Sequence, residues 1–198
     1  SQEGVTLRVD ANGAFAPQEA LQKLELLARY GIHSIEQPIR AGQWQEMARL
    51  CRQTPLPIAL DEELIGIHGN KEKEELLNEI RPQYIVLKPT LHGGLSGAAE
   101  WMEAAMRRDV GFWVTSALES NVGLNALAQW VAHLLPQLPP HLAALPQGLG
   151  TGQLFVENYS GINLCIEGER LFYDTAEQRA FRKELQDFAT EWHSPCPT

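Results

Sequence analysis

Residues 5–36 read VTLRVDANGAFAPQEALQKLELLARYGIHSIE, and the order of patterns within them decides the fold class. Val5 to Val9 is a short apolar, β-branched run that reads as a strand. From about Pro17 to Tyr30 the apolar residues recur at helical spacing, with proline at the start and Gly31 just past the end. Ile32 to Ile35 reads as the next strand, and an acid closes each strand: Asp10, then Glu36. Strand, helix and strand in this order form a βα repeat.

The repeat continues outward. A helix is expected from about Gln43 to Gln53, a strand over Pro57 to Leu60, and a charged helix near Lys71 to Glu79. Tyr84 to Leu87 is a fourth strand, followed by a helix from about Leu95 to Arg108. Gly111 to Val114 is a fifth, followed by a helix from about Val122 to Leu135; a weak sixth strand fits Leu142 to Leu145. Strands this apolar are buried on both faces, which points to a parallel sheet covered by helices. The tail differs: Asn163 to Tyr173 reads as a hairpin turning at Glu167-Gly168, and a last helix is expected from about Ala176 to Trp192. Six such units fit a partial (β/α)8-type barrel or an open, doubly wound sheet. A closed barrel takes about 250 residues, so one lacking strands is the barrel these 198 residues could form. The expected division is a catalytic part over 1–152 and a C-terminal hairpin and helix over 153–198. The chain begins at Ser1 without methionine and reaches a strand almost at once, which reads as a processed or excised piece.

Composition is that of an ordinary globular protein, 44% hydrophobic and 21% charged. A net charge of −9 argues against nucleic acid or an anionic membrane as partner, while leaving room for a small anionic substrate. No apolar run approaches the roughly 20 residues that span a bilayer, and no signal peptide is visible. Cys51, Cys165 and Cys196 are scattered and odd in number, so a reduced, cytoplasmic setting is expected.

Asp10, Glu36, Asp61 and Lys88 each sit just past the apolar core of a strand, at spacings of 26, 25 and 27 residues. Groups at the same end of successive parallel strands project into one space, and in a barrel that end carries the active site. Two like charges about 4 Å apart repel by about 4 kcal/mol at an effective dielectric near 20. Converging carboxylates therefore take up protons or a cation, and an all-oxygen set favours Mg2+ or Mn2+ over zinc. A single acid after a strand could equally cap a helix or face water; the shared register of four is what favours a site.

The segments Val9-Asp10-Ala11-Asn12, Ile35-Glu36-Gln37-Pro38, Leu60-Asp61-Glu62 and Leu87-Lys88-Pro89 resemble the strand-end motifs of the enolase superfamily, in its muconate-lactonizing subgroup. The resemblance covers roughly residues 5 to 160. It implies that Asp10, Glu36 and Asp61 are Mg2+ ligands, that Asn12 lines the site, and that Lys88 is a catalytic lysine. It also implies abstraction of a proton α to a carboxylate, with metal stabilising the ene-diolate. That family places a second lysine on an earlier strand, in a Lys-x-Lys motif. Here the lysines before Lys88 are Lys23, Lys71 and Lys73, all on helix-like stretches. The first strands, the opposing lysine and most of a capping domain are therefore expected to lie outside this chain, which needs that part or self-association. The tail over about 153–192 resembles the segment completing that cap.

Thr115-Ser116-Ala117-Leu118-Glu119-Ser120 and Gly148-Leu149-Gly150-Thr151 resemble loops that hold substrate carboxylates in the subgroup's o-succinylbenzoate synthases. This nominates Ser116, Glu119, Ser120, Gly148, Gly150 and Thr151 as substrate-binding. Ser116-x-x-Glu119 also fits a helix capping box, and the second loop a glycine turn. The Asp-x-Asp pair that dipeptide epimerases of the subgroup carry after the last strand is absent beyond Leu145. The implied activity is a Mg2+-dependent dehydratase of menaquinone biosynthesis. An N-acylamino-acid racemase or cycloisomerase, or a non-catalytic barrel piece, remain alternatives. His33, His68, His92, His133, His141 and His193 show no ligand-like spacing and are read as mostly surface, although His92 could border the pocket. Trp44, Trp101, Trp113 and Trp130 are read as core and helix packing, Cys51 and Cys165 as small core residues.

Overall fold

The computed structural model describes residues 5–159, 162 and 164–173. The expected helix over 176–192 lies outside them. The chain divides into two compact units, one of residues 1–117 and 135–148, the other of residues 118–134 and 149–198.

In the first unit the strands are β1 (Arg8–Asp10), β2 (Ser34–Glu36), β3 (Ile58–Leu60), β4 (Tyr84–Leu87) and β5 (Gly111–Val114). They form one sheet in the order β1-β2-β3-β4-β5, every neighbour parallel. Helices α1 (Pro17–Ala28), α2 (Trp44–Gln53), α3 (Asn70–Ile80) and α4 (Gly94–Met106) make the crossovers. Proline opens α1, and the Glu19 carboxylate reaches back to accept the Ala16 N–H at 3.4 Å. α3 ends at Arg81 in the left-handed region, just before Pro82.

Alternation along each strand sorts the side chains into two sets. Ile35, Ile58, Leu60, Ile85, Leu87, Phe112 and Val114 share one face, all buried, as are Leu24, Met47, Leu50, Leu76, Leu77 and Trp101 of the helices. Burying each such side chain contributes about 1.5–3 kcal/mol. The other face carries Arg8, Ser34, Ala59, Tyr84, Val86 and Trp113, and its curvature can be read from one contact. In a flat sheet β1 and β5 would lie about 19 Å apart at ~4.8 Å per strand. Yet the Arg8 guanidinium sits 3.8 Å from the centre of the Trp113 ring and donates to Pro146 O at 2.8 Å. The sheet is therefore rolled, with Arg8, Tyr84 and Trp113 filling its concave side, as in the wall of a (β/α)8 barrel.

The weak sixth strand is corrected. Residues 140–143 form α6 (Pro140–Ala143), because Pro140 suits the first turn of a helix and cannot donate to a ladder. The sheet is extended three residues beyond the expected end at Leu145, where Gly148 bridges Thr115 in parallel: Gly148 N–H donates to Val114 O at 2.8 Å and Ser116 N–H to Gly148 O at 3.0 Å. Only glycine fits, since a Cβ at 148 would lie 2.3 Å from Thr115 Oγ1.

In the second unit α5 (Asn121–Leu134) accompanies the hairpin of β6 (Leu164–Glu167) and β7 (Arg170–Tyr173). The hairpin turns at Gly168-Glu169, one residue later than expected, with Gly168 supplying the positive φ of 62°. Cys165 is exposed on this two-stranded piece and is not a core residue, whereas Cys51 is buried in α2. Among the described residues, no helix is long and apolar enough to cross a membrane.

Candidate active site

The ladder falls where βα repetition requires. Asp10 is level with Glu36 across the sheet, Glu36 with Ala59, and Leu60 with Ile85. Asp61 therefore stands two residues beyond the level of Glu36, and Lys88 two beyond the level of Asp61. A stagger of two keeps side chains on one face. All four point to the concave side, at the C-terminal ends of β1 to β4.

There the Lys88 ammonium donates to Asp61 Oδ2, and it lies 3.5 Å from Glu36 Oε1. Asp61 is 2% exposed; Glu36 and Lys88 retain 18% each. Burial, then the charges of Asp61 and Asp10, push the Glu36 carboxyl up to about 7, against the lowering pull of Lys88. Burial alone would lower the Lys88 ammonium, but its hydrogen bond to Asp61 and the charges of Asp61, Glu36 and Glu62 outweigh it and hold it raised. Burial also raises Glu62, beside Asp61. Asp61 Oδ1 and Glu62 Oε2 are buried with no hydrogen-bond partner among the described residues.

Four acids crowd one lysine, and two buried carboxylate oxygens lack a donor. That is the electrostatic condition a divalent cation relieves, and carboxylate oxygens are the donors Mg2+ prefers. As they stand, no three His, Cys, Asp or Glu side chains among the described residues close into a ligand cage; the Lys88 ammonium lies between Asp61 and Glu36. In charge and donor chemistry Asp10, Glu36 and Asp61 fit the ion, and side-chain rotation of the partly exposed pair is the adjustment required.

The other nominated residues divide between the units. Asn12 is exposed with φ +45°, and its N–H donates to Asp10 Oδ1 at 2.8 Å, orienting that carboxylate. Ser116 is buried in the first unit at the bridge to Gly148. Glu119, Ser120, Gly150 and Thr151 belong to the second unit. α5 opens at Asn121, and Leu124 N–H donates to Ser120 O at 2.9 Å.

Three more buried residues stand near the ladder, of which the sequence pointed only to His92, as one that could border the pocket. Gln37 and Glu63 form a polar network behind Glu36 and Asp61. His92 is 1% exposed, not a surface residue, and its Nδ1 accepts the Lys88 backbone N–H at 3.2 Å. Burial, then Lys88 and Lys73, depress its imidazole to about 4, so it is neutral at pH 7. Lys73, though helical as expected, is buried and ion-paired to Glu100 at 2.5 Å.

Comparison with known proteins places this geometry. Residues 1–158 match the model of the enolase C-terminal domain-like family. The o-succinylbenzoate synthase of Desulfotalea psychrophila is 54% identical over 168 residues, 85% of this chain and 43% of that protein. An L-Ala-D/L-amino acid epimerase from a Maribacter species is 34% identical over 67% of this chain and 37% of its own length. The crystal structure of MenC from Desulfotalea psychrophila superposes with a TM-score of 0.79 at 53% identity, covering 86% of this chain and 46% of that one. Muconate lactonizing enzyme from Pseudomonas putida shares the fold at a TM-score of 0.67 and 23% identity, over 91% of this chain and 50% of its own. The chain thus spans less than half the length of these curated relatives. It belongs to the enolase C-terminal domain-like family of the enolase superfamily, and its rolled parallel sheet is part of that family's (β/α)8 barrel.

Proposed function

We propose that this chain is the metal-holding part of a cytoplasmic, Mg2+-dependent dehydratase that forms o-succinylbenzoate, a step of menaquinone biosynthesis, by removing a proton α to a carboxylate and expelling water. The observation that carries the reading is the placement of Asp10, Glu36, Asp61 and Lys88 on one concave face at successive strand ends. The 54% identity to an o-succinylbenzoate synthase favours this substrate class. Asp10, Glu36 and Asp61 would hold the ion, which when bound stabilises negative charge developing on the substrate carboxylate. Lys88 contributes a half-buried ammonium on the same face, suited to stabilising an anionic intermediate, while Ser116 and Gly148 would line its rim. Proton removal would fall to a lysine supplied by a further part of the protein or by an associated copy.

A racemase or epimerase on the same scaffold is the second reading, favoured by the 34% identity to an amino acid epimerase. Assaying the complete enzyme for dehydration and for racemization of N-succinylamino acids separates the two; racemization without dehydration would remove the synthase reading. Asp61→Asn in that enzyme should lower Mg2+-dependent turnover by at least ~10²-fold, by analogy with losing one electrostatic stabiliser. Retained turnover would make the ladder structural.

A further inference from the structure

We propose that Gln37 is the positioning residue of the metal centre: its amide fixes the spacing of the Glu36 and Asp61 carboxylates, with Glu63 as its buried partner. The inference rests on the metal-site reading above and deepens it. Gln37 follows Glu36 directly, is fully buried, and adopts φ +37°. A non-glycine residue holds that conformation only where its surroundings over-determine it, and here they do. Its backbone N–H donates to Ala59 O at 2.9 Å, and its backbone O accepts the Gly13 N–H at 2.7 Å. Its side-chain Oε1 accepts the N–H groups of Asp61 at 3.1 Å and Glu63 at 3.4 Å. Its Nε2 donates to Ile39 O at 3.0 Å and to Glu63 Oε2 at 3.1 Å, while Glu63 Oε1 accepts the Gly42 N–H at 2.7 Å.

One residue therefore clamps three loops. Its backbone holds the turn after Asp10, its own strand end carries Glu36, and its side chain grips the peptide N–H of Asp61. Only a neutral amide meets these demands, because Oε1 faces two donors while Nε2 faces two acceptors. A carboxylate at 37 would turn an acceptor toward Ile39 O and Glu63, and an apolar side chain would leave two buried N–H groups and two acceptors unpaired.

The test measures Mn2+ binding to the complete enzyme by electron paramagnetic resonance, beside amide hydrogen exchange at Asp61 and Glu63 and far-ultraviolet circular dichroism. Gln37→Met should keep the circular dichroism spectrum, expose both amides to exchange at least tenfold faster, and weaken Mn2+ binding at least tenfold. Gln37→Glu should weaken binding similarly, and adding Glu63→Gln should recover much of the loss by restoring an amide–carboxylate pair of reversed polarity. That recovery is a readout general destabilisation would not give. A folded Gln37→Met enzyme that binds Mn2+ within twofold of wild type overturns the positioning role while leaving the metal site standing. Should Gln37→Met fail to fold, the Gln37→Glu, Glu63→Gln exchange decides: no recovery over Gln37→Glu overturns the proposal. A wild-type enzyme that takes up no Mn2+ at millimolar concentration overturns the metal-site reading, and the role of Gln37 toward it.

Discussion

Replacing Glu36 by glutamine should stabilise the metal-free chain above neutral pH and leave it unchanged in acid. Burial, reinforced by Asp61 and Asp10, raises the Glu36 carboxyl from 4.5 to about 7. Between those values the folded chain holds a proton that the unfolded chain has released, so stability falls as pH rises through the window. At 1.36 kcal/mol per unit the full effect is about 3 kcal/mol, an upper bound because Glu36 keeps 18% of its side-chain exposure. A chain of this size shifts its Tm by about 2–4 °C per kcal/mol. The glutamine variant should therefore melt up to ~10 °C above wild type at pH 8, with the gap closing toward pH 4.5. Thermal unfolding by circular dichroism in EDTA, from pH 4.5 to 8.5, measures it. Titrating groups remote from Glu36 are common to both chains and cancel in the difference, while Asp61, Asp10 and Lys88, which feel its charge, contribute to it. Mg2+ should raise the wild-type Tm at pH 8 and leave the variant's nearly fixed. Parallel melting curves across the range would refute the claim that Glu36 is held under charge strain.

His92 titrates in the opposite sense. Its folded value near 4 lies below the ordinary 6.5, so the unfolded chain takes up the proton first and stability falls as pH drops from about 6.5 toward 4. His92→Leu should cost about 1–3 kcal/mol at pH 7 by stranding the Lys88 N–H. It should also flatten that acid limb, as read from urea midpoints at pH 5 and 7. Gly148→Ala drives a Cβ to 2.8 Å from Thr115 Cβ and should cost about 1–3 kcal/mol; an unchanged Tm would mean the bridge has slack.

The fold was legible where periodicity carried it. Five strands and the helices between them emerge within a few residues of the expected bounds, because apolar strand cores and helical spacing are local signals. The sixth strand misled for a physical reason: Leu142 and Leu145 supply apolar character, but Pro139 and Pro140 start a helix, and the true sheet extension hangs on Gly148, which has no side chain to announce it. The ladder was legible because one acid or lysine per repeat is a spacing signal. Gln37 and Glu63 were not, since a buried amide and an acid two residues beyond Asp61 carry no pattern of their own, and His92 was legible only as a residue that could border the pocket. Gln37 did lie within a quoted motif, and the positive φ that marks it is invisible in sequence.

The charge balance explains why the ladder points to an ion more firmly than the side-chain geometry alone. Asp10, Glu36, Asp61 and Glu62 face one ammonium, Lys88, which bonds Asp61 Oδ2 and only approaches Glu36 at 3.5 Å. Below about pH 7 a proton held on Glu36 supplies the balancing positive charge. A divalent cation supplies it at any higher pH, and would also give the buried Asp61 Oδ1 and Glu62 Oε2 a positive partner that no donor here provides. Lys88 would then be repelled by the ion and drawn less strongly by the acids. The same event that fills the metal centre would free the lysine for a substrate carboxylate, so cation binding and substrate affinity should rise and fall together.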